Sequence, residues 1–213
     1  MKTKMLIIAF VLSVFSMNVL SQTKDQNTTL EKIKDKYTLV EDGTKVRYSR
    51  IYEDLGKNRN DLLDGLVNFF RFREGYQLNG DYDIKEENDT YIVTFTLNYG
   101  YVGGRNNMSH DYKHYLTSNW RIDVKDNRVR AIADLSDYTQ VHVNRGGILV
   151  KEEKNVVPLV AVPPFRKVKK EKDNEMYADC FINSYTKTAN LLYYLGESFK
   201  MLIKKAPDAS TDW

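Results

Sequence analysis

The chain has 213 residues, with 32 Lys and Arg against 29 Asp and Glu and a single cysteine. This length suits one domain of ordinary size with short appendages, and it is enough to bury a proper core. The nearly balanced charge gives no electrostatic case for nucleic acid, which needs clustered Lys and Arg. One cysteine excludes an intrachain disulfide, so the core must hold the fold together.

The first 21 residues carry the pattern of a secretory signal peptide. Lys2 and Lys4 form a basic start, and residues 5–15 are an almost unbroken apolar run. Val19 and Ser21 then stand at the −3 and −1 positions of a signal-peptidase site, which predicts cleavage after Ser21. Cleavage would remove two lysines and no acid, which lowers the net charge from +3 to +1.

A single membrane anchor is the alternative for this segment. The apolar character ends at residues 21–25, which leaves a run shorter than a membrane span of about 20 apolar residues. A bacterial lipid anchor would need a cysteine at the cleavage point, and the one cysteine is Cys180. We therefore predict an exported protein, periplasmic or extracellular, with no membrane span after the signal is removed.

Strand and helix patterns follow a polar lead-in over residues 22–43. A short helix is predicted within the lead-in, around residues 29–36, and a first strand is predicted over residues 44–52. Asn60 is the predicted N-cap of a helix that continues until Gly75. The apolar residues of this helix recur at helical spacing and are Leu62, Leu63, Leu66, Val67, Phe69 and Phe70.

Alternating apolar residues predict four further strands in the middle of the chain. The clearest one places Tyr91, Val93, Phe95, Leu97, Tyr99 and Tyr101 on one face. A partner strand over residues 82–84 precedes it, and residues 100–109, which are rich in glycine and polar side chains, are predicted to be a loop. Strands over residues 120–124 and 129–135 are joined by a tight turn at Asp126–Asn127.

The C-terminal part is predicted to be a long helix after an irregular connection. The connection covers residues 144–173 and contains three prolines. Residues 174–205 carry an apolar stripe spaced by threes and fours, and residues 206–213 form a polar tail. The stripe consists of Ala178, Phe181, Tyr185, Thr188, Leu192, Leu195, Phe199 and Leu202. A helix with such a stripe can cover one face of the sheet.

The chain contains the segment RIYEDLGKNRNDLLDGLVNFF over residues 50–70 and the segment WRIDVKDNRVRAIADLSDY over residues 120–138. In the first, Gly56 and polar residues end a strand and the step Asp61–Leu62 opens a helix. In the second, an arginine follows a hairpin turn. These features resemble a domain of unknown function with a TATA-binding-protein-like (TBP-like) fold, found in many secreted bacterial proteins. The family usually has Gly where this chain has Asn127.

The resemblance implies a curved antiparallel sheet backed by two helices, and it implies no activity because the family has none assigned. Together with the patterns above, it predicts an α+β fold. We expect about five strands in the order β-α-β-β-β-β-α, packed by two helices, in a single domain over residues 44–205.

His110 and His114 are the one histidine pair with metal-like spacing. Two histidines four residues apart share a face on a helix, but here Asp111 stands where a zinc-protease motif has Glu. The segment is predicted to be a loop entering a strand, where residues four apart lie about 13 Å from each other. We therefore predict two solvated loop histidines and neither a metal nor a cofactor. Cys180 lies among apolar residues and is predicted to be a buried, unreactive thiol.

Aromatic content is the remaining feature, with 15 Tyr and 9 Phe in the chain. Tyrosines on the wet face of a sheet give rigid amphipathic area for contact with protein or carbohydrate. The candidate contact surface consists of Tyr82, Tyr99, Tyr101, Tyr112 and Tyr115. The alternative for each of these residues is packing in the core or across strands.

These observations favour a non-catalytic binding or assembly domain of the bacterial cell envelope, with an envelope protein or a glycan as partner. Its binding surface is expected on the exposed face of the sheet or on the apolar remainder of the long helix. The alternative is a small envelope hydrolase that uses His110 and nearby acidic residues.

The signal sequence generates a direct prediction. We expect the protein recovered from the envelope or the medium of an expressing bacterium to begin at Gln22, because cleavage follows Ser21. N-terminal sequencing and the intact mass check this. Recovery of a membrane-bound chain that retains Met1 would contradict it.

Overall fold

The structure is a computed structural model that describes residues 25–71, 75–107, 109–145 and 151–204. In these ranges the chain is α+β, with three helices and one antiparallel sheet of eight strands. The helices are α1 (25–33), α2 (Arg59–Arg71) and α3 (Glu171–Lys204). The strands are β1 (Thr38–Val40), β2 (Lys45–Tyr52), β3 (Gln77–Leu78), β4 (Asp83–Glu87), β5 (Thr90–Asn106), β6 (His110–Lys125), β7 (Arg128–Asn144) and β8 (Lys151–Pro158). The predicted signal peptide and the tail over residues 206–213 lie outside the described residues.

Three long strands build the centre of the sheet. The strands β5, β6 and β7 contain 17, 16 and 17 residues and pair in sequence order as an antiparallel meander. The first half of β7 pairs with β2, and its second half pairs with β8. On the other side, β3 and β4 both pair with β5, and β1 continues the sheet beyond β2.

The prediction of about five strands was too low, because β1, β3 and β8 carry no clear alternation. Residues 151–155 of β8 are all exposed, so neither of its faces is marked by apolar residues. A charged edge strand of this kind is typical of sheet edges that avoid pairing with other chains. The connection predicted over residues 144–173 therefore contains a strand, and α3 begins at Glu171.

The predicted loop over residues 100–109 is also wrong, since β5 continues to Asn106 and β6 already begins at His110. The pairing of these strands is interrupted by two bulges, which follow Asn98 and Tyr101. A Cβ atom on Gly104 would lie 2.1 Å from the backbone oxygen of Tyr112. The glycine thus permits close strand pairing, where the sequence pattern had indicated a turn.

The polar lead-in over residues 22–43 contains α1 and β1 in its described part. Ile33 is buried, and the Gln26 side chain donates a hydrogen bond of 2.6 Å to the Asp179 carboxylate of α3. The Tyr37 ring packs edge-on against Phe181, with 5.4 Å between the ring centroids. These contacts attach the lead-in to the C-terminal helix.

The predicted turn at Asp126–Asn127 is confirmed, and it is bonded to the start of α2. Lys125 pairs with Arg128, and Asn127 between them has a φ of +61°, a left-handed conformation that Asn tolerates in tight turns. Its side-chain oxygen accepts the Gly56 amide at 2.5 Å, and the Asp126 carboxylate accepts the Arg59 amide at 2.7 Å. Asn58 caps α2 by accepting the Asp61 amide at 2.9 Å, so the predicted N-cap Asn60 was two residues too late.

The core lies between the helices and one face of the sheet. Phe70 of α2 packs against Phe95 and Trp120, with centroid distances of 4.7 and 5.4 Å. Tyr52 of β2 packs against Phe199 of α3, and its hydroxyl donates to the Leu192 carbonyl. The predicted stripe of α3 supplies the buried residues Ala178, Phe181, Thr188, Leu192, Leu195 and Phe199. Within the described ranges, no helix is long and apolar enough to cross a membrane.

Gly196 marks a close approach between α3 and β2. A Cβ atom at this position would lie 2.7 Å from Cε1 of the buried Tyr52 ring. We expect Gly196→Ala to lower the free energy of unfolding by about 1–3 kcal/mol, although alanine favours a helix by about 1 kcal/mol over glycine. Denaturant unfolding measures the change.

The matched control for this prediction is Asn190→Ala at an exposed position of the same helix. We expect this substitution to leave stability unchanged or to raise it by a few tenths of a kcal/mol. Equal behaviour of the two alanine variants would contradict the close packing.

Candidate functional site

The sheet has one covered and one uncovered face. In β6, Leu116, Trp120 and Ile122 point toward the helices and are buried. Thr117 and Asn119 point the other way and are exposed. In the part of the chain that the structure describes, no helix packs on this second side. We call it the uncovered face.

Side chains on the uncovered face line up across four strands. Each row runs across β2, β7, β6 and β5 in that order. The first row is Arg47, Asp134, Asn119 and Thr96. The second is Ser49, Ile132, Arg121 and Thr94, and the third is Ile51, Arg130, Asp123 and Ile92. The first row is held by polar bonds: Arg47 donates two bonds of 2.7 Å to Asp134, and Thr96 donates one of 3.1 Å to Asn119. Cross-strand pairs of this kind fix polar side chains on an exposed surface.

Asp123 is the centre of the most highly charged part of this face. Its side chain is 10% exposed, whereas Arg121 and Arg130 on either side are each 50% exposed. Arg121 Nε donates to Oδ1 at 2.9 Å, and Arg130 Nε donates to Oδ2 at 2.8 Å. A second nitrogen of Arg130, Nη2, also donates to Oδ2. One buried carboxylate thus aligns two guanidinium groups at the surface.

A depression of about 390 Å³ surrounds this carboxylate. Ile51 and Ile92 contribute apolar surface to it. Its charged lining consists of Arg121, Lys125, Arg128, Arg130, Asp123 and Glu87, and its polar lining consists of Asn88 and Thr90. Four cationic side chains therefore face two carboxylates. We call this site the basic depression.

The sequence pattern did not lead us to predict the basic depression, although the alternating charges that form it are visible around the turn at Asp126–Asn127. Charged residues alternate with apolar ones on both arms of the hairpin, at 121, 123 and 125 and again at 128 and 130. The two-residue turn pairs Lys125 with Arg128 and Asp123 with Arg130. A two-residue turn sets the register of a hairpin, so this pairing followed from the predicted turn.

The far end of the uncovered face is aromatic and aliphatic. Tyr101 and Tyr115 pair across β5 and β6 with their ring centroids 6.2 Å apart, and Tyr101 is 52% exposed. Beside them, Tyr115 and Val141 line a second shallow depression together with Lys113. These two members of the predicted contact surface are accessible.

The other three predicted tyrosines do not join them. Tyr99 is fully buried, its hydroxyl accepts a hydrogen bond of 3.1 Å from Thr188, and burial raises its pKa to about 12. Tyr82 packs against Phe95 with 5.3 Å between centroids, and Tyr112 stacks on His142 at 4.4 Å. The prediction that these five tyrosines form one contact surface is therefore wrong, and Tyr99 is unavailable to a partner.

The histidines are also placed differently from the expectation of solvated loop residues. Both His110 and His114 belong to β6, and His114 is fully buried. Gln140 donates a hydrogen bond of 2.9 Å to Nε2 of His114, and burial lowers the pKa of this histidine to about 4. The imidazole is therefore neutral near pH 7.

The partner of His110 is a second histidine, since its Nδ1 lies 3.0 Å from Nε2 of His142. Asp111 follows His110 in the strand and points to the opposite face, where it pairs with Arg145 at 3.4 Å. In the described ranges, no group of three or more His, Cys, Asp or Glu side chains converges on a possible metal position.

Cys180 lies against Gly103, where a Cβ atom on the glycine would come within 2.7 Å of its Sγ. The cysteine is fully buried, and burial raises the pKa of its thiol to about 12. The reactive thiolate is therefore scarcely populated at neutral pH.

No protein-family model and no curated protein matches the chain. Solved structures similar to it include a TBP-like protein from Parabacteroides distasonis, with a TM-score of 0.47 and 16% identity over 76% of this chain and 97% of that chain. They also include a DUF4468 family protein from Bacteroides ovatus, with a TM-score of 0.42 and 11% identity over 82% of this chain and 94% of that chain.

The buried His114 generates a prediction about stability and pH. Its folded pKa of about 4 lies below the usual value of 6.5. Between these values the unfolded chain binds a proton that the folded chain does not, so stability falls as the pH falls from 6.5 to 4. We expect His114→Gln to lose less stability over this range than the original protein, by on the order of 3 kcal/mol.

Denaturant unfolding at several pH values between 4 and 7 measures this difference. The other titrating groups are the same in both proteins, so they cancel in the comparison. Parallel pH curves for the two proteins would contradict the assignment of a buried, neutral His114.

Proposed function

We propose that the protein is a non-catalytic, exported binding or assembly domain of the bacterial cell envelope, and that it binds its partner with the uncovered face. The observation that carries the proposal is the one-sided packing of the sheet. The described helices pack against one face, and exposed side chains occupy the other over three long strands. The proposed partner is an envelope protein or a glycan. Nucleic acid is not a candidate, because the charge of the chain is nearly balanced.

The uncovered face is suited to binding because many of its side chains are already held in place. Arg47 is fixed by two bonds to Asp134, and Asp123 fixes both Arg121 and Arg130. Ordering a flexible side chain on binding costs about 0.5–1.5 kcal/mol, and much of this cost is already met here. The exposed ring of Tyr101 adds rigid amphipathic contact area.

The groups that could perform catalysis are poorly suited to it. His114 is buried and neutral, and the Cys180 thiol is buried with a raised pKa. His110 is paired with His142, and the carboxylate nearest to that pair, Glu153, lies 3.8 Å from His142 and is 65% exposed, so it is not a buried group that orients a general base. No observation among the described residues favours the alternative of an envelope hydrolase over binding.

The test is site-specific photo-crosslinking in the expressing bacterium. A benzophenone amino acid at Thr117, which is exposed on the uncovered face, is expected to form an adduct with an envelope component. The same group at Asn190, which is exposed on α3, is expected to form none. Both positions are exposed, so the comparison controls for accessibility.

An adduct of similar yield at both positions would show unspecific contact. An adduct at Asn190 alone would move the binding surface to the helix side. Either result, or the absence of an adduct at Thr117, counts against the proposed surface.

A further inference from the structure

The basic depression allows the proposed function to be made more specific. We propose that it binds the carboxylates of an acidic polysaccharide, with the sugar rings lying along the uncovered face. This inference rests on the proposed binding function and names the class of its ligand. It is carried by the charges, the free donors and the shape of the depression.

The positive charge of the depression stands out in a chain that is almost neutral. The whole chain has a formal charge of +3, and four of its cationic side chains line this one depression. Glu87 and Asp123 are the acids of the lining, and Asp123 is already bonded to two arginines. A concentration of one charge sign in a concave site raises the local concentration of ligands with the opposite sign.

Hydrogen-bond donors remain free after the internal bonds are counted. Arg121 uses Nε for Asp123, which leaves its two terminal nitrogens without a partner in the described residues. Lys125 makes no ion pair with any described residue, whereas Arg128 pairs with Glu53 at 3.3 Å. Guanidinium groups with free terminal nitrogens match the geometry of a carboxylate or a phosphate.

The spacing of the cations favours a polymer over a single small anion. Arg121 and Lys125 lie on the same side of β6 and are four residues apart, which separates their Cα atoms by about 13 Å. Cations spread along the strand in this way are suited to more than one acidic group at a time. They fit successive acidic groups of an extended chain.

The shape of the site favours sugar over peptide. The uncovered face offers only side chains, whereas sheets that bind extended peptides generally do so through the free backbone of an edge strand. The lining of the depression contains Ile51 and Ile92 for the flat apolar parts of a ring, and Asn88 and Glu87 for hydroxyl groups. No aromatic side chain lines it, which argues against stacking with nucleic-acid bases.

The experiment is a binding titration of the full chain with polygalacturonate, a polymer of acidic sugars, at several salt concentrations. Dextran, a neutral polysaccharide, and polyglutamate, an acidic polypeptide, are the comparison ligands. We expect binding to polygalacturonate that weakens as salt rises, because salt screens the attraction between exposed charges. We expect no binding to dextran and weaker binding to polyglutamate.

The variant Arg121→Gln with Lys125→Gln removes two cations and keeps the bonds between Arg130 and Asp123. We expect it to weaken binding by at least about tenfold, because it removes two charge-assisted contacts to the carboxylates of the polymer. Lys125→Gln alone breaks no ion pair with a described residue, so it tests the site even if the double variant is unstable. The control is Lys34→Gln with Lys200→Gln. It removes one exposed lysine from the 3-10 turn at residues 34–36 and one from α3.

Equal weakening by the double variant and its control would overturn the proposal, because only overall charge would then matter. Equal or tighter binding of polyglutamate, or no binding of polygalacturonate, would also overturn it. If the Thr117 adduct forms while polygalacturonate does not bind, the sugar inference fails and the binding surface stands. If neither occurs, both fail.

Discussion

The packing of α3 against one face of the sheet is the constraint on which the rest of the structure depends. The helix contacts β2 through Tyr52 and Phe199, and it approaches β5 where Gly103 meets Cys180. Small residues at Gly103 and Gly196 allow this approach, and the helix also holds the lead-in through Asp179. Because the helices gather on this side, the alternate side chains of the central strands, which form the uncovered face, are directed to solvent.

On the opposite face, charge pairs replace apolar packing as the means of fixing side chains. A half-exposed ion pair contributes little to stability, so the bonds of Asp123 to Arg121 and Arg130 matter more for position than for free energy. Removing the carboxylate would leave the two guanidinium groups close together with like charge. The same network therefore explains why a nearly buried acid lies at the centre of a cationic site.

Much of the fold could be predicted from the sequence, and the failures have identifiable causes. The stripe of α3 and the turn at Asp126–Asn127 were found because each has a strong periodic or conformational signature. Tyr99 and Tyr101 were expected on one face, as alternation requires. The bulge after Asn98 adds a residue between the paired positions and sends the two rings to opposite faces. A bulge of this kind cannot be recognised from the alternation of apolar residues. The same is true of the edge strand β8, which has no such alternation.

The bonds between the hairpin turn and the start of α2 have a mechanical consequence. Gly56, Arg59 and Asn127 exchange hydrogen bonds with neighbours on the other segment, so the tip of the hairpin cannot open unless the beginning of the helix is released. Lys125 and Arg128 flank this tip. One rim of the basic depression thus belongs to the same cooperative unit as the start of α2, and local unfolding of the one exposes the other.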